Sequence, residues 1–149
     1  VGIITLCAPA HLEGFGSLDA VAHAKGELFE ELRADGVAII NADDDYAALW
    51  RELAGQCQCL TFGLKNTADV SATWCHENER TRLVLLTPEG TAEACLKLPG
   101  RHNVLNALAA VDASVKAKHV DFPAEGFGHQ TPRLTRDHLR AAVVVLVEI

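Results

Sequence analysis

Val37-Ala38-Ile39-Ile40-Asn41-Ala42-Asp43-Asp44-Asp45 decides the fold. Its opening is apolar without alternation, the pattern of a strand covered on both faces, as in a parallel sheet between helices. The polar run that follows sits at that strand's carboxyl end. Asp43 or Asp44 is placed there to cap a helix running from Tyr46 to Leu53.

Working outward, Val1 to Cys7 reads as a second buried strand, rich in β-branched residues. Ser17 is the expected N-cap of a helix from Leu18 to Arg33, with Val21, Leu28 and Leu32 at helical spacing. Asp35-Gly36 then turns the chain. Cys57 to Phe62 completes a β-α-β-α-β pattern, which favours parallel strands joined by right-handed crossovers. The pattern then changes. Asp69 to His76, Arg82 to Thr87 and Ala92 to Leu98 read as strands, with Pro88-Glu89-Gly90 as a hairpin turn between the last two. These form an antiparallel sub-sheet. A long helix follows from Asn103 to Lys118, with Leu105, Leu108, Ala109 and Val115 near one face. Beyond it, 121–132 is loop-like, Arg136 to Arg140 helical, and Ala141 to Ile149 an apolar run fit for a buried strand. The expected class is α/β: a three-layer, mostly parallel sheet flanked by helices plus a small antiparallel sub-sheet. Residues 1–118 form the main unit and 119–149 a divergent tail.

A chain of 149 residues, 49% hydrophobic, is long and apolar enough to bury a core as one domain. A net charge of −7 argues against a nucleic-acid binder but not against a nucleotide site, where phosphates are held by local groups and metal ions. The five cysteines, odd in number and unevenly spaced, read as reduced, mostly buried thiols in a cytosolic protein. Cys57-Gln58-Cys59 with Cys75-His76 admits a zinc site, but the spacing is unusual for one. The apolar runs are too short to span a bilayer.

Ala8-Pro9-Ala10-His11-Leu12-Glu13-Gly14-Phe15-Gly16-Ser17 carries a histidine at a strand's carboxyl end, where open α/β sheets bind ligands. On the residues alone, His11 is either a loop histidine bonded to nearby backbone or a ligand-contacting group. Lys25 is either a surface lysine or a functional amine, and Ala22, Ala24 and Gly26 strip bulk from around it. In Gly100-Arg101-His102-Asn103-Val104-Leu105-Asn106-Ala107-Leu108-Ala109-Ala110, Asn103 and Asn106 share a helix face, and His102 lies at the same end. Such a run is also an ordinary capped amphipathic helix.

Over roughly Val1 to Ala110 these motifs resemble the Mur ligases, ATP-dependent amide-forming enzymes of peptidoglycan synthesis. The loop His11-Leu12-Glu13-Gly14-Phe15-Gly16-Ser17 is similar to that of the type adding D-alanyl-D-alanine. The resemblance implies the rear portion of a central, ATP-binding domain. It implies that His11 helps to bind Mg2+. It implies that Lys25, in Ala24-Lys25-Gly26-Glu27-Leu28-Phe29, is carbamylated and becomes an oxygen ligand supporting metal and γ-phosphate. The run His102-Asn103-x-x-Asn106-x-x-Ala109-Ala110 resembles the family signature whose second asparagine, Asn106, contacts adenine, with Asn103 and His102 beside it. A carboxamide has the donor and acceptor that adenine's edge requires. ATP and Mg2+ are the implied cofactors. UDP-MurNAc-peptide and D-alanyl-D-alanine are the implied substrates, and the cytoplasm the implied location.

The phosphate-binding Gly-x-x-Gly-Lys-Thr loop that the family needs does not occur in this sequence. With no methionine and a strand at its first residue, the chain reads as an excised piece of a longer protein, expected to be inactive alone. A non-catalytic truncated or engineered module that keeps only the fold is the alternative; a folylpolyglutamate-type ligase and a small His/Cys metal protein are the others. Sheet edges left open by truncation invite self-association.

Overall fold

The apolar run of Val37–Asn41 (β2) is the middle strand of a parallel sheet, flanked by Gly2–Ile4 (β1) and Gln58–Phe62 (β3). The computed structural model describes residues 1–8 and 16–117. His11, the end of the last helix at Lys118, the expected 121–132 loop, 136–140 helix and 141–149 strand, and the tail unit 119–149 lie outside the described residues. So does the side chain of Val115.

Alternate residues of a strand point to opposite faces, so β1 to β3 feed two separate apolar clusters. Ile4, Ala38 and Ile40 pack with Phe29, Trp50 and Ala54 on one face. Ile3, Ile39 and Phe62 pack with Val104, Leu105 and Leu108 on the other. The first face is covered by helices Leu18–Glu30 (α1) and Ala47–Leu53 (α2). The second is covered by helix Arg101–Ala117 (α3). Helices, sheet and helix make the expected three layers.

Ser17 caps α1, its hydroxyl accepting from the Ala20 N–H at 3.2 Å. The helix stops at Glu30 rather than Arg33. Its final turn has no basic residue, while Glu30 and Glu31 stand where the helix dipole disfavours acids. The chain leaves through tight turns instead, with the Leu32 N–H on the Phe29 carbonyl. α1 and α2 meet along two matching stripes. The Trp50 indole N–H donates to the Ala22 carbonyl at 2.9 Å, and Gly26 leaves room for Leu53.

The antiparallel sheet comprises Ser71–Glu77 (β4), Arg80–Thr87 (β5) and Gly90–Leu96 (β6). It meets the parallel sheet through a bridge between Phe62 and Val70. The Pro88-Glu89 turn falls as expected, with Thr87 paired to Gly90. The turn between β4 and β5 is tighter than the sequence indicates. Asn78 and Glu79 both adopt left-handed backbone (φ 48° and 59°), a two-residue hairpin that extends β5 back to Arg80. Leu83 and Leu85 of β5 point inward against α3, while Val84 and Leu86 point outward.

The cysteines depart from expectation. None is fully buried: Cys7, Cys57 and Cys59 are half-buried, while Cys75 and Cys95 are exposed. The last two flank Arg82 on the outer face of the antiparallel sheet, which no element among the described residues covers. Cys57 and Cys59 pack instead against the α1–α2 layer, so they do not meet Cys75-His76. All five thiols are free. No helix among the described residues is long and apolar enough to cross a membrane.

Leu108→Ala should cost about 3 kcal/mol in urea unfolding, because it empties a fully buried site. Glu79→Gly should gain about 1 kcal/mol by relieving left-handed strain.

Candidate functional site

The carboxyl edge of the parallel sheet is where β1, β2 and β3 hand over to loops, and the polar run after β2 organises it. Asn41, buried at the strand end, donates from its amide to the Thr5 carbonyl at 2.8 Å. Its side-chain oxygen accepts the Asp43 N–H at 2.9 Å. The end of β1 and the turn after β2 are thereby locked together.

Asp43 and Asp44 then point to different partners. Asp44 accepts the Tyr46 N–H at 3.0 Å in the turn before α2, but the N-cap position is Tyr46 and has no side-chain capping bond, so neither Asp43 nor Asp44 caps the helix as expected. The other Asp44 oxygen accepts the Cys7 N–H at 2.7 Å. Asp43 accepts the N–H groups of Leu64 (2.9 Å), Lys65 (3.0 Å) and Asn66 (2.9 Å) in the loop after β3. It also forms an ion pair at 2.9 Å with Arg101, the first residue of α3. Burial alone would push the Asp43 carboxyl up. The N–H bonds and then the Arg101 charge outweigh it, holding the group below the ordinary aspartate value.

At the start of α3 the two asparagines separate in role. The Asn103 amide donates to the Pro99 carbonyl at 2.7 Å and is committed to the turn before the helix. Asn106 is exposed and makes no hydrogen bond among the described residues. His102 is exposed, and its ring lies over Gly100, where an added Cβ would come within 2.7 Å of Cε1. Gly100 also holds φ +107°, which suits glycine alone. His102 and Asn106 lie one helical turn apart, so an imidazole and a free carboxamide share a face in the first two turns of α3.

Lys25 belongs to the other side of the sheet. It is half-buried on α1, close enough to Cys7 for its charge to be felt there. Burial and the Asp44 charge push the Cys7 thiol up, and Lys25 pulls it partly back. Nearby, the Tyr46 hydroxyl donates to Asp19 at 2.6 Å, and that bond pushes the phenol up to about 12. Lys25 and Asn106 therefore sit on helices packed against opposite faces of the sheet, with the 41–45 turn between them. His11 lies outside the described residues. Among the described residues no group of His, Cys, Asp or Glu side chains is placed to hold a metal ion.

Arg101 was passed over by the sequence reading, yet it carried a signal. A cation in the first turn of a helix opposes the dipole, so its presence in Gly100-Arg101-His102 calls for an anionic partner from elsewhere in the chain.

The Mur ligase middle domain, as a family model, matches residues 1–114. The UDP-N-acetylmuramoyl-tripeptide–D-alanyl-D-alanine ligase of Escherichia coli is 44% identical over 116 residues, 76% of this chain and 25% of that protein. Among solved structures, MurF from Acinetobacter baumannii superposes with a TM-score of 0.73 at 35% identity, covering 78% of this chain and 25% of that one. MurF from Thermotoga maritima in complex with ADP shares the fold, with a TM-score of 0.66 at 20% identity over 81% of this chain and 28% of that one. The chain spans about a quarter of the length of the curated relatives it matches.

Asp43→Ala should cost about 2 kcal/mol, because it strands the loop N–H groups it now satisfies. Its lowered carboxyl makes this contribution complete above the ordinary aspartate value near 3.9. The contribution is lost as pH falls through the lowered value, so the gap between wild type and variant should close in acid urea titrations.

Proposed function

Because the chain belongs to the Mur ligase family, we propose that it is the rear part of the middle, ATP-binding domain of a ligase that adds D-alanyl-D-alanine to a UDP-MurNAc-peptide in peptidoglycan synthesis. The observation that carries this reading is the free carboxamide of Asn106 beside His102 at the start of α3, on a helix pinned to the sheet's carboxyl edge by Arg101 and Asp43. Asn106 presents a donor and an acceptor to the adenine edge. Asn103 shapes the turn that delivers it, and His102 flanks the base. The substrate carboxylate would be activated by phosphoryl transfer from ATP, and the amine of the dipeptide would then displace phosphate. Lys25 is the candidate carbamylated lysine at the same edge, with Ala22, Ala24 and Gly26 keeping bulk away from it. Neutral amine is the form that reacts with carbon dioxide.

Magnesium is the metal this reading implies, with His11 and the Lys25 carbamate as its candidate protein ligands. The described residues do not make that site by themselves. The carboxylates of Asp43 and Asp44 are committed to backbone N–H groups. The chain alone is expected to turn over no ATP, since phosphoryl transfer depends on a phosphate cradle its sequence lacks. Cytoplasmic location and self-association through sheet edges belong to the same reading.

Titration of the 15N-labelled chain with ATP tests it. The amide signals of Asn103 to Ala107 should move, with a dissociation constant of about a millimolar or weaker. Asn106→Ala should abolish the shifts and leave the fold unchanged, and GTP should not reproduce them. Shifts confined to other surfaces, or equal for both nucleotides, would refute the assignment.

A further inference from the structure

α3 turns one carboxylate into the apolar layer. Asp112 lies one helical turn beyond Leu108 and next to Val111, both in the cluster between the sheets, and is only 1% exposed. Its Oδ2 has no hydrogen-bond partner among the described residues. A carboxyl group so placed is far better tolerated neutral than ionised. We propose that Asp112 is a proton-operated latch: protonated, it lets α3 seat against the two sheets; ionised, it loosens that seat and the helix start carrying His102, Asn103 and Asn106.

Among the described residues, no cation is bonded to Asp112. Asp69, between β3 and β4, is the charge that acts on Asp112, and it repels a second negative charge. Asp69 is held in place by the Thr61 N–H at 2.8 Å and the Thr61 hydroxyl at 2.7 Å. On β4, His76 shares the inward face but is bonded to Thr81, which itself reaches Leu98 at the other end of the helix. Cys75 and Glu77 of β4 pair across to Arg82 and Arg80 of β5 on the outward face. Cys59 of β3 faces the α1–α2 layer, and β2 carries no ionisable side chain. Along α3 itself, Arg101 and His102 stand about three turns away, and Lys116 follows in the next turn of sequence.

Burial first, and the Asp69 charge second, push the Asp112 carboxyl up to about 7. The unfolded chain ionises the same group near 3.9. The folded state therefore holds the proton more tightly. The stability from this group is fully present below the ordinary aspartate value and is lost as pH rises to the raised one, about tenfold in the folded-to-unfolded ratio per pH unit.

Urea unfolding of the full chain and of Asp112→Asn, between about pH 5 and about pH 8, tests the latch. Relative to the variant, the wild type should lose about a hundredfold in folded-to-unfolded ratio over that interval. Parallel pH curves would overturn the proposal. Should the variant fail to fold, 13C NMR of the wild-type Asp112 carboxyl decides alone: a midpoint near neutrality supports the latch, and one in the ordinary aspartate range removes it. Amide signals of Asn103 and Asn106 should follow the same midpoint, and indifference to it would break the link to the helix start.

Discussion

One carboxylate holds the carboxyl edge of the parallel sheet together. Asp43 gathers the loop after β3 by its backbone and the start of α3 by an arginine, from a turn fixed to β1 by its neighbour Asn41. Ionised groups make stronger hydrogen bonds than neutral ones, and this one accepts several at once. Three chain segments far apart in sequence therefore have one common reference point. Without it, the sheet would still form from its apolar strands, but the side chains at its rim would have no fixed relation to each other.

The polar edge rests on an apolar body divided by the sheet. Each strand sends alternate residues to different layers, so the packing that seats α1 is separate from the packing that seats α3. The α1–α2 layer is fitted closely, with an indole N–H on a helix carbonyl and a glycine where the helices approach. The α3 layer is less settled, because it includes the buried acid Asp112. The candidate amine and the candidate carboxamide belong to these different layers. Any ligand gripping both must lie across the rim, over the turn that carries Asp43 and Asp44.

What the sequence disclosed follows from the range of each interaction. Val37 to Ile40 announced a doubly covered strand because hydrophobic burial is written residue by residue. Ser17 and Pro88-Glu89-Gly90 were legible because caps and turns are local chemistry. The Asn78-Glu79 turn was not, since glutamate is a poor marker for left-handed backbone and only the pairing of β4 with β5 forces it there. The separate duties of Asn103 and Asn106 could not be read from their spacing; they depend on where the Pro99 carbonyl points. The partner of Arg101 lies 58 residues away, beyond any local pattern. Asp112 falls one turn beyond Leu108 on the face the apolar residues mark, but its enclosure depends on the sheets packed against α3, which no local pattern shows. The cysteines were misjudged for a related reason: being apolar draws a thiol inward only where a layer exists to cover it, and among the described residues the outer face of the antiparallel sheet has none.

The two tryptophans fall on opposite sides of the dividing sheet. Trp50 is enclosed between α1, α2 and the parallel strands, its indole hydrogen-bonded, whereas Trp74 on β4 is 39% exposed. Nature has thus placed one intrinsic fluorophore in each half of the molecule, the first shielded from aqueous quenchers and the second open to them. Emission colour and iodide accessibility can therefore distinguish a disturbance confined to one half from collapse of the whole, with no added label.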